Sequence, residues 1–300
     1  MRLSRRGRIV AQRVYAVPND GGEDERWRET ARTIGADLKA GRLKMRPLPR
    51  VAVELGRLAS SADPDVRRAE EVIQRDSQLA ARVLKTAGSL AFGARPPTSI
   101  REASVRLGVA GLRDMAFAAS MAGVFRCPGL DDMVREEMAH GFVTAVLTGV
   151  VCRMMKLDAQ AGFVAGLLHD VGRLVVMTAL SEYGRKDNSL LDRAFVRRVG
   201  ERAHSKLGGY LLEDWGVDAA VQKVARFHHR PERSDEPLVT VVAMADHIDR
   251  VGGDTEEERV ERLLAQPCGA GPELSTAHVE ALATAAQQAR QDPALADLAA

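Results

Sequence analysis

Residues 160–179 read QAGFVAGLLHDVGRLVVMTA, an apolar run that carries a His-Asp pair at 169 and 170. The run predicts a helix over 160–179. The face that carries His169 also carries Gly162, Ala165 and Gly166, and such small residues let neighbouring helices approach closely. The sequence therefore predicts that a polar pair lies where helices pack tightly together.

The composition of the chain favours an all-α fold. It is 45% apolar and 28% charged, which suffices for a full core, and only 4% aromatic. Almost no segment has the β-branched alternation of a strand, and only Ile9 to Val17 suggests one. The predicted helices lie at 27–40, 48–60, 64–74, 77–88, 99–107, 109–125, 131–156, 160–179, 188–198, 200–215, 218–229, 238–251, 256–265 and 275–290.

Helix breakers and charge divide the chain into parts. Pro128-Gly129 separates two groups of helices, which predicts lobes over 47–127 and 130–252. Residues 1–50 hold 13 Lys/Arg against 6 Asp/Glu, and residues 251–300 hold 3 against 9. We therefore predict a basic, solvated N-terminal extension over 1–46 and an acidic, then Ala-rich helical extension over 253–300, without chemistry in the latter.

Several functional classes lack support in the sequence. The three cysteines have no CxxC spacing, which argues against disulfides and thiolate zinc sites. The longest uncharged apolar stretch, Gly141–Cys152, is too short to span a bilayer, and no signal peptide precedes it, so we expect a cytoplasmic protein. Phosphate-loop and dinucleotide motifs are absent, so no organic cofactor is expected, and nucleic acid is not an expected partner.

Histidine is scarce, with seven in all, yet five fall at positions that suit a metal site. Glu136 and His140 are four residues apart on one helix, and helical spacing aims both inward. Any one of these residues alone is more typical of a core or capping position, but the set together indicates a metal centre for iron, manganese or zinc. The candidate ligands are His140, His169, Asp170, His204, His228, His229 and Asp246, with Glu136 as an additional one.

A centre with one or two ions would suit hydrolytic chemistry, because a metal-bound hydroxide is a nucleophile at neutral pH. Asp170 has the two oxygens needed to bridge two ions. We predict His140, His169 and Asp246 on one side of it and His204, His228 and His229 on the other. Satisfied core histidines without metal remain the alternative.

These residues, in this order, resemble those of the HD-domain phosphohydrolase superfamily. Residues 47–250 are similar to one branch, the HDOD (HD-related output domain) family of bacterial signalling proteins. The resemblance rests on LPRVAVELGRL at 48–58, GLLHDVGRL at 166–174, HSKLGGYLLEDWG at 204–216, FHH at 227–229 and VVAMADHI at 241–248. It implies a two-lobed all-α bundle that acts as a regulatory output module through a protein partner.

The chain departs from the HD-GYP phosphodiesterases, the related enzymes that hydrolyse cyclic-di-GMP. After His229 it reads RPERSDEP without the Gly-Tyr-Pro motif, and Arg173 stands where those enzymes have lysine. The resemblance therefore favours a non-catalytic module. The alternative is a metal-dependent phosphohydrolase in which Asp170 and Arg173 are catalytic. The sequence leaves the oligomeric state open.

Overall fold

The computed structural model describes residues 23–59, 66–87, 97–121, 124–251, 256–265 and 275–291. Within these ranges the structure contains α-helices and no β-strand, so the predicted all-α class is confirmed. The predicted strand at Ile9 to Val17 lies outside the described residues. The helices are α1 (Glu23–Lys39), α2 (Arg50–Ala59), α3 (Val66–Gln74), α4 (Ser77–Ala87), α5 (Ile100–Met121), α6 (Asp131–Met154), α7 (Ala159–Leu168), α8 (Val171–Gly184), α9 (Arg193–Asp214), α10 (Ala219–Phe227), α11 (Pro237–Val251), α12 (Glu256–Ala265) and α13 (Thr276–Gln291).

The first lobe is built around α5, against which α2, α3 and α4 pack. The sequence predicted two helices here, over 99–107 and 109–125. The structure has one element with a kink at Gly108, whose backbone angles (φ 69°, ψ 171°) are not helical. Glycine is the residue that adopts a positive φ at little cost, so the predicted division marks a real bend. α5 also packs against α7 and thereby joins the two lobes.

The second lobe consists of α6 to α11, with α6 packed on α7 and α8 packed on α9. The single helix predicted over 160–179 is wrong at its centre, because α7 ends at Leu168 and α8 begins at Val171. His169 keeps helical backbone angles, whereas Asp170 (φ −103°, ψ 15°) does not. The break leaves both side chains buried in the interior. Conversely, the break predicted between 198 and 200 does not occur, since α9 runs through Gly200.

Small residues bring the helices of the second lobe into close contact, as the opening motif indicated. A side chain at Gly166 would meet the backbone of Thr144 and Ala145 on α6. A side chain at Gly172 on α8 would meet the backbone of His204 and Gly208 on α9. The helices that carry the candidate ligands are therefore held at backbone contact distance.

Both extensions contribute helices that pack on the second lobe. α1 lies against α8 and α9, with Trp27 and Ile34 buried. The Tyr183 hydroxyl donates a 2.6 Å hydrogen bond to Oδ2 of Asp37. α13 packs against α6 and buries Leu282. The predicted solvated N-terminal extension therefore contains a docked helix, because its few apolar residues share one helical face.

One stretch, Ala159–Gly184, is long and apolar enough to cross a membrane, with a mean hydropathy of 1.5. It comprises α7 and α8, and 78% of its apolar window is buried inside the fold. Core helices satisfy the same criterion, and the packing of α7 and α8 between other helices accounts for their apolar character.

The contact between α8 and α9 predicts that Gly172→Ala destabilises the protein. The added Cβ would lie 2.6 Å from the backbone nitrogen of Gly208 and closer still to the carbonyl oxygen of His204. Because backbone atoms cannot move aside cheaply, we expect the free energy of unfolding to fall by about 2 kcal/mol or more. Urea denaturation followed by circular dichroism measures this loss.

Gly200→Ala on α9 is the matched control. Its nearest new neighbour would be Cγ of Arg173 at 3.8 Å, an ordinary contact. Alanine favours a helix interior over glycine by about 0.5–1 kcal/mol, so this variant should be as stable as the wild type or more stable. Equal stability of the two variants would contradict the proposed close approach.

Candidate metal centre

Helices of the second lobe bring all seven predicted histidine and aspartate ligands to one point. His140 comes from α6, the His169-Asp170 pair from the break between α7 and α8, and His204 from α9. His228 and His229 follow the end of α10, and Asp246 comes from α11. His169, Asp170, His204, His228 and Asp246 are at most 3% exposed. The structure therefore assembles the set in the core of the lobe.

One half of the cluster, the histidine subsite, consists of Oδ1 of Asp170 with His204, His228 and His229. Nε2 of His204 lies 3.2 Å from this oxygen, and Nε2 of His228 lies 3.3 Å from it. Nε2 of His229 is 2.9 Å from Nε2 of His204. One atom from each of the four residues lies within 4.8 Å of the others, a spacing at which they could share an ion.

The other half, the Asp246 subsite, consists of Oδ2 of Asp170 with His140, His169 and Asp246. Oδ1 of Asp246 lies 3.1 Å from Nε2 of His140 and 3.6 Å from Nε2 of His169. Oδ2 of Asp170 lies 3.9 Å and 3.6 Å from the same two nitrogens. Asp170 therefore presents one oxygen to each subsite.

Hydrogen bonds fix the orientation of the histidine rings. Nδ1 of His169, His204 and His228 lies 2.7–3.0 Å from the carbonyl oxygens of the preceding helical turn, those of Gly166, Gly200 and Val224. A carbonyl only accepts, so each Nδ1 carries a proton, and the Nε2 of a neutral ring then turns a lone pair inward. Oδ1 of Asp170, although buried, accepts no hydrogen bond from the residues that the structure describes. Acceptors that converge in this way fit a transition metal ion.

The electrostatics of the two subsites differ. Burial lowers the pKa of His204 to about 3 and that of His229 to about 2, so these rings are neutral and can bind a metal. Burial also opposes the charged form of His140, but hydrogen bonds to Asp246 and Asp249 outweigh it and raise its pKa to about 10. A metal ion bound by His140 would have to displace its proton.

Two arginines neutralise the carboxylates of the centre. Nε of Arg173 donates to Oδ2 of Asp170 at 2.8 Å and lies 3.4 Å from Glu137. Arg250 donates from Nε to Oδ1 of Asp246 at 2.6 Å and from Nη2 to Oδ2 of Asp170 at 2.8 Å. Burial opposes ionisation, but Arg173 and Arg250 hold the pKa values of Asp170 and Asp246 well below their ordinary range.

Glu136, the additional predicted ligand, does not face the centre. Its side chain is 56% exposed and bonds Arg193 at 3.1 Å and Arg197 at 2.9 Å on α9. Its neighbour Glu137 points inward, where burial raises its pKa to about 7. Spacings of three and four residues both place a side chain near His140, and in the structure Glu137, three residues before it, faces the centre in place of Glu136.

An outer layer of residues around His140 was not predicted from the sequence. Nδ1 of His140 lies 2.7 Å from Oδ2 of the buried Asp249, whose Oδ1 accepts a 2.6 Å bond from Arg290 of α13. Asp249 and Arg250 follow Asp246 at helical spacing, which is a signal that could have found them. Arg290 is 41 residues from Asp249 and carries no local signal.

Comparison with known proteins places this centre in a family context. Ribonuclease Y of Deinococcus radiodurans is 27% identical over 163 residues, which are 54% of this chain and 24% of that protein. The chain thus spans about a quarter of the length of this relative. Two solved structures are similar over most of both chains and show the fold. One is an HDOD domain protein of unknown function from Geobacter sulfurreducens, 20% identical, which covers 90% of this chain and 98% of its own, with a TM-score of 0.65.

The other is a Shewanella amazonensis protein provisionally named a metal-dependent phosphohydrolase, 17% identical, which covers 88% of this chain and 98% of its own, with a TM-score of 0.64. The family model of the HDOD domain matches residues 45–231, which confirms the resemblance found in the sequence motifs. The match includes six of the seven predicted ligands and ends before Asp246. Because it covers more than half of the chain, this protein belongs to the HDOD domain family.

Proposed function

We propose that the chain is a regulatory output module of bacterial signal transduction, which acts through a protein partner and holds a transition metal ion as a structural or sensory element. The observation that carries this proposal is the engagement of both arginines at the centre. Arg173 bonds Asp170, and Arg250 bonds Asp170 and Asp246. A phosphohydrolase needs cations that face its phosphate, whereas these cations face the ligands themselves.

The metal-binding part of the proposal rests on the donor set. Neutral imidazole and carboxylate donors suit iron, manganese or zinc. The histidine subsite would hold an ion through His204, His228, His229 and Asp170, and such an ion would supply Lewis acidity and an activated water. The backbone carbonyls that fix the rings keep their Nε2 atoms aimed at one point.

The segment at residues 230–237, RPERSDEP, supports the non-catalytic reading. It contains the short 3-10 helix Pro231–Arg233, and Asp235 accepts a 2.9 Å bond from Lys223. The segment therefore places mixed charge, including carboxylates, where a substrate loop would follow the histidines. Its carboxylates would repel a phosphoester, and Arg230 and Arg233 leave the segment with mixed rather than positive charge.

A metal-dependent phosphohydrolase is the second candidate function. The complete set of seven ligands favours it, as do the names of the Deinococcus and Shewanella relatives. In this alternative Asp170 bridges two ions and Arg173 turns from Asp170 to the phosphate. It requires the loss of buried ion pairs, and leaving a buried charge without its partner costs several kcal/mol.

A cytoplasmic location and a protein partner, rather than nucleic acid or membrane, complete the proposal. Basic residues of α1 such as Arg26 and Lys39 already face groups of the second lobe, namely Ser189 and the ring of Tyr210. Part of the positive charge near the N-terminus is thus engaged within the molecule and does not form a free nucleic-acid surface.

The metal proposal predicts that Asp170→Asn abolishes metal binding. Protein purified without a chelator or His-tag and loaded anaerobically with Mn²⁺ or Fe²⁺ should hold at least one ion per chain. The Asn variant should hold less than about a tenth of one, since it lacks the charge that both subsites share. Elemental analysis of protein shown to be folded by circular dichroism gives the answer.

Asp235→Asn is the control for the loss of one surface carboxylate and should keep the wild-type metal content. His229→Ala alters a less buried candidate ligand and should also lose the metal. The test therefore does not depend on the folding of the Asp170 variant alone. If the wild-type protein holds no metal after loading, the histidines are instead core residues whose hydrogen bonds are satisfied within the protein.

Non-catalytic function predicts the absence of metal-dependent turnover. Cyclic dinucleotides, nucleotides and an aryl phosphodiester should all be hydrolysed at less than about 0.1 per second by the metal-loaded protein. Turnover above this rate that requires metal and disappears in both His169→Ala and Asp170→Asn would overturn the regulatory assignment.

A protein partner is tested by cross-linking the full chain in its native cell. We expect at least one protein to be cross-linked to the wild type and its yield to change in Asp170→Asn, because the metal element would be lost. Cross-links to RNA alone, identified after nuclease treatment, would contradict the assignment of a protein partner.

A further inference from the structure

We propose that the guanidinium of Arg250 takes the place of one metal ion, so that the centre binds a single ion, in the histidine subsite. The inference rests on the metal binding proposed above and adds its number and position. It is drawn from the different partners of the two carboxylate oxygens of Asp170.

Arg250 reaches the atoms that an ion in the Asp246 subsite would need. Its Nε is 2.6 Å from Oδ1 of Asp246, and its Nη2 is 2.8 Å from Oδ2 of Asp170 and 3.3 Å from Nε2 of His140. Nitrogen and oxygen ligands hold transition metals at about 2.0–2.2 Å. An ion bound to these three atoms would meet the guanidinium at close range, and the two cations would repel each other. Arg250 and a metal ion therefore exclude each other here.

The histidine subsite shows the opposite pattern around the other oxygen of the same carboxylate. Oδ2 of Asp170 accepts bonds from both Arg173 and Arg250, whereas Oδ1 accepts none from the described residues. Nε2 of His204 lies 3.2 Å from Oδ1 and Nε2 of His228 lies 3.3 Å from it, while the Nδ1 atoms of both rings donate to backbone carbonyls. Oδ2 is thus bonded by two cations of the chain itself, whereas Oδ1 lies beside imidazole nitrogens. An external cation is needed at Oδ1 alone.

The fold holds Arg250 in this position. Asp246 and Arg250 are one helical turn apart on α11, so the arginine lies over the carboxylate that it bonds. Asp249, between them, is anchored on Arg290 of α13 and on His140 of α6. The side chain of Arg250 is 36% exposed, and its guanidinium bonds the carboxylates of both Asp246 and Asp170. The arrangement gives the Asp246 subsite a built-in positive charge.

The test counts ions with Mn²⁺ as the probe. Wild-type protein loaded anaerobically should hold one ion per chain and give the electron paramagnetic resonance spectrum of isolated Mn²⁺. Arg250→Met, which keeps the aliphatic stem and removes the charge, should hold two ions with an exchange-coupled spectrum. Arg193→Met is the matched control: this arginine also pairs with a carboxylate, that of Glu136 at 3.1 Å, but away from the centre, so one ion should remain.

Single-ligand variants test the position without altering Arg250. In the wild-type background His229→Ala should lose the ion, whereas Asp246→Asn should keep it. In the Arg250→Met background His229→Ala should keep one ion, now in the Asp246 subsite.

Two ions in the wild type, or loss of the single ion in Asp246→Asn, would overturn the inference while leaving metal binding intact. One ion in a folded Arg250→Met variant would also overturn it. The absence of ions from wild type and every variant would overturn metal binding itself, and this inference with it.

Discussion

The burial of one carboxylate, that of Asp170, sets the condition that the second lobe has to satisfy. A charge that is taken out of water costs several kcal/mol unless it is paired and hydrogen-bonded. Asp170 is 3% exposed and meets this condition with one oxygen only, through Arg173 and Arg250. The other oxygen lies among histidine nitrogens that are held as acceptors. The lobe thus packs around a site that is electrostatically complete on one side and open to a cation on the other.

The packing of the helices and the geometry of the centre have a common origin. Gly172, two residues after Asp170, lets α8 approach α9 at the backbone of His204. The same approach places the His204 ring 3.2 Å from the Asp170 carboxylate. A larger residue at 172 would separate the helices and move a ligand at the same time. Small residues in this motif therefore serve the site as well as the core.

The sequence was sufficient for the all-α class and for choosing seven candidate ligands that the structure brings together, because histidine and aspartate on apolar helical faces are rare enough to be informative. The prediction failed where either of two neighbouring residues could face the centre. Glu136 and Glu137 both lie about one turn before His140, and only packing against α9 decides that Glu136 pairs with arginines there. The helix break at Asp170 was missed for a related reason, since an uninterrupted apolar pattern does not show where a buried polar side chain must turn inward. The role of Arg290 could not be predicted from the sequence, because only a tertiary contact connects it with Asp249.

The Asp246 subsite contains groups from outside the part of the chain that the family model matches, whereas the histidine subsite lies entirely within it. The family match ends at residue 231, so it contains Asp170, His204, His228 and His229, which form the histidine subsite. Asp246, Asp249 and Arg250 of α11 and Arg290 of α13 all follow it, and they supply the Asp246 subsite with its carboxylate, its arginine and its outer layer. One of the two arginines that bond the carboxylates of that subsite therefore comes from outside the matched region. Because Arg250 follows Asp246 by one helical turn, this single residue brings a guanidinium to the carboxylates of both Asp246 and Asp170.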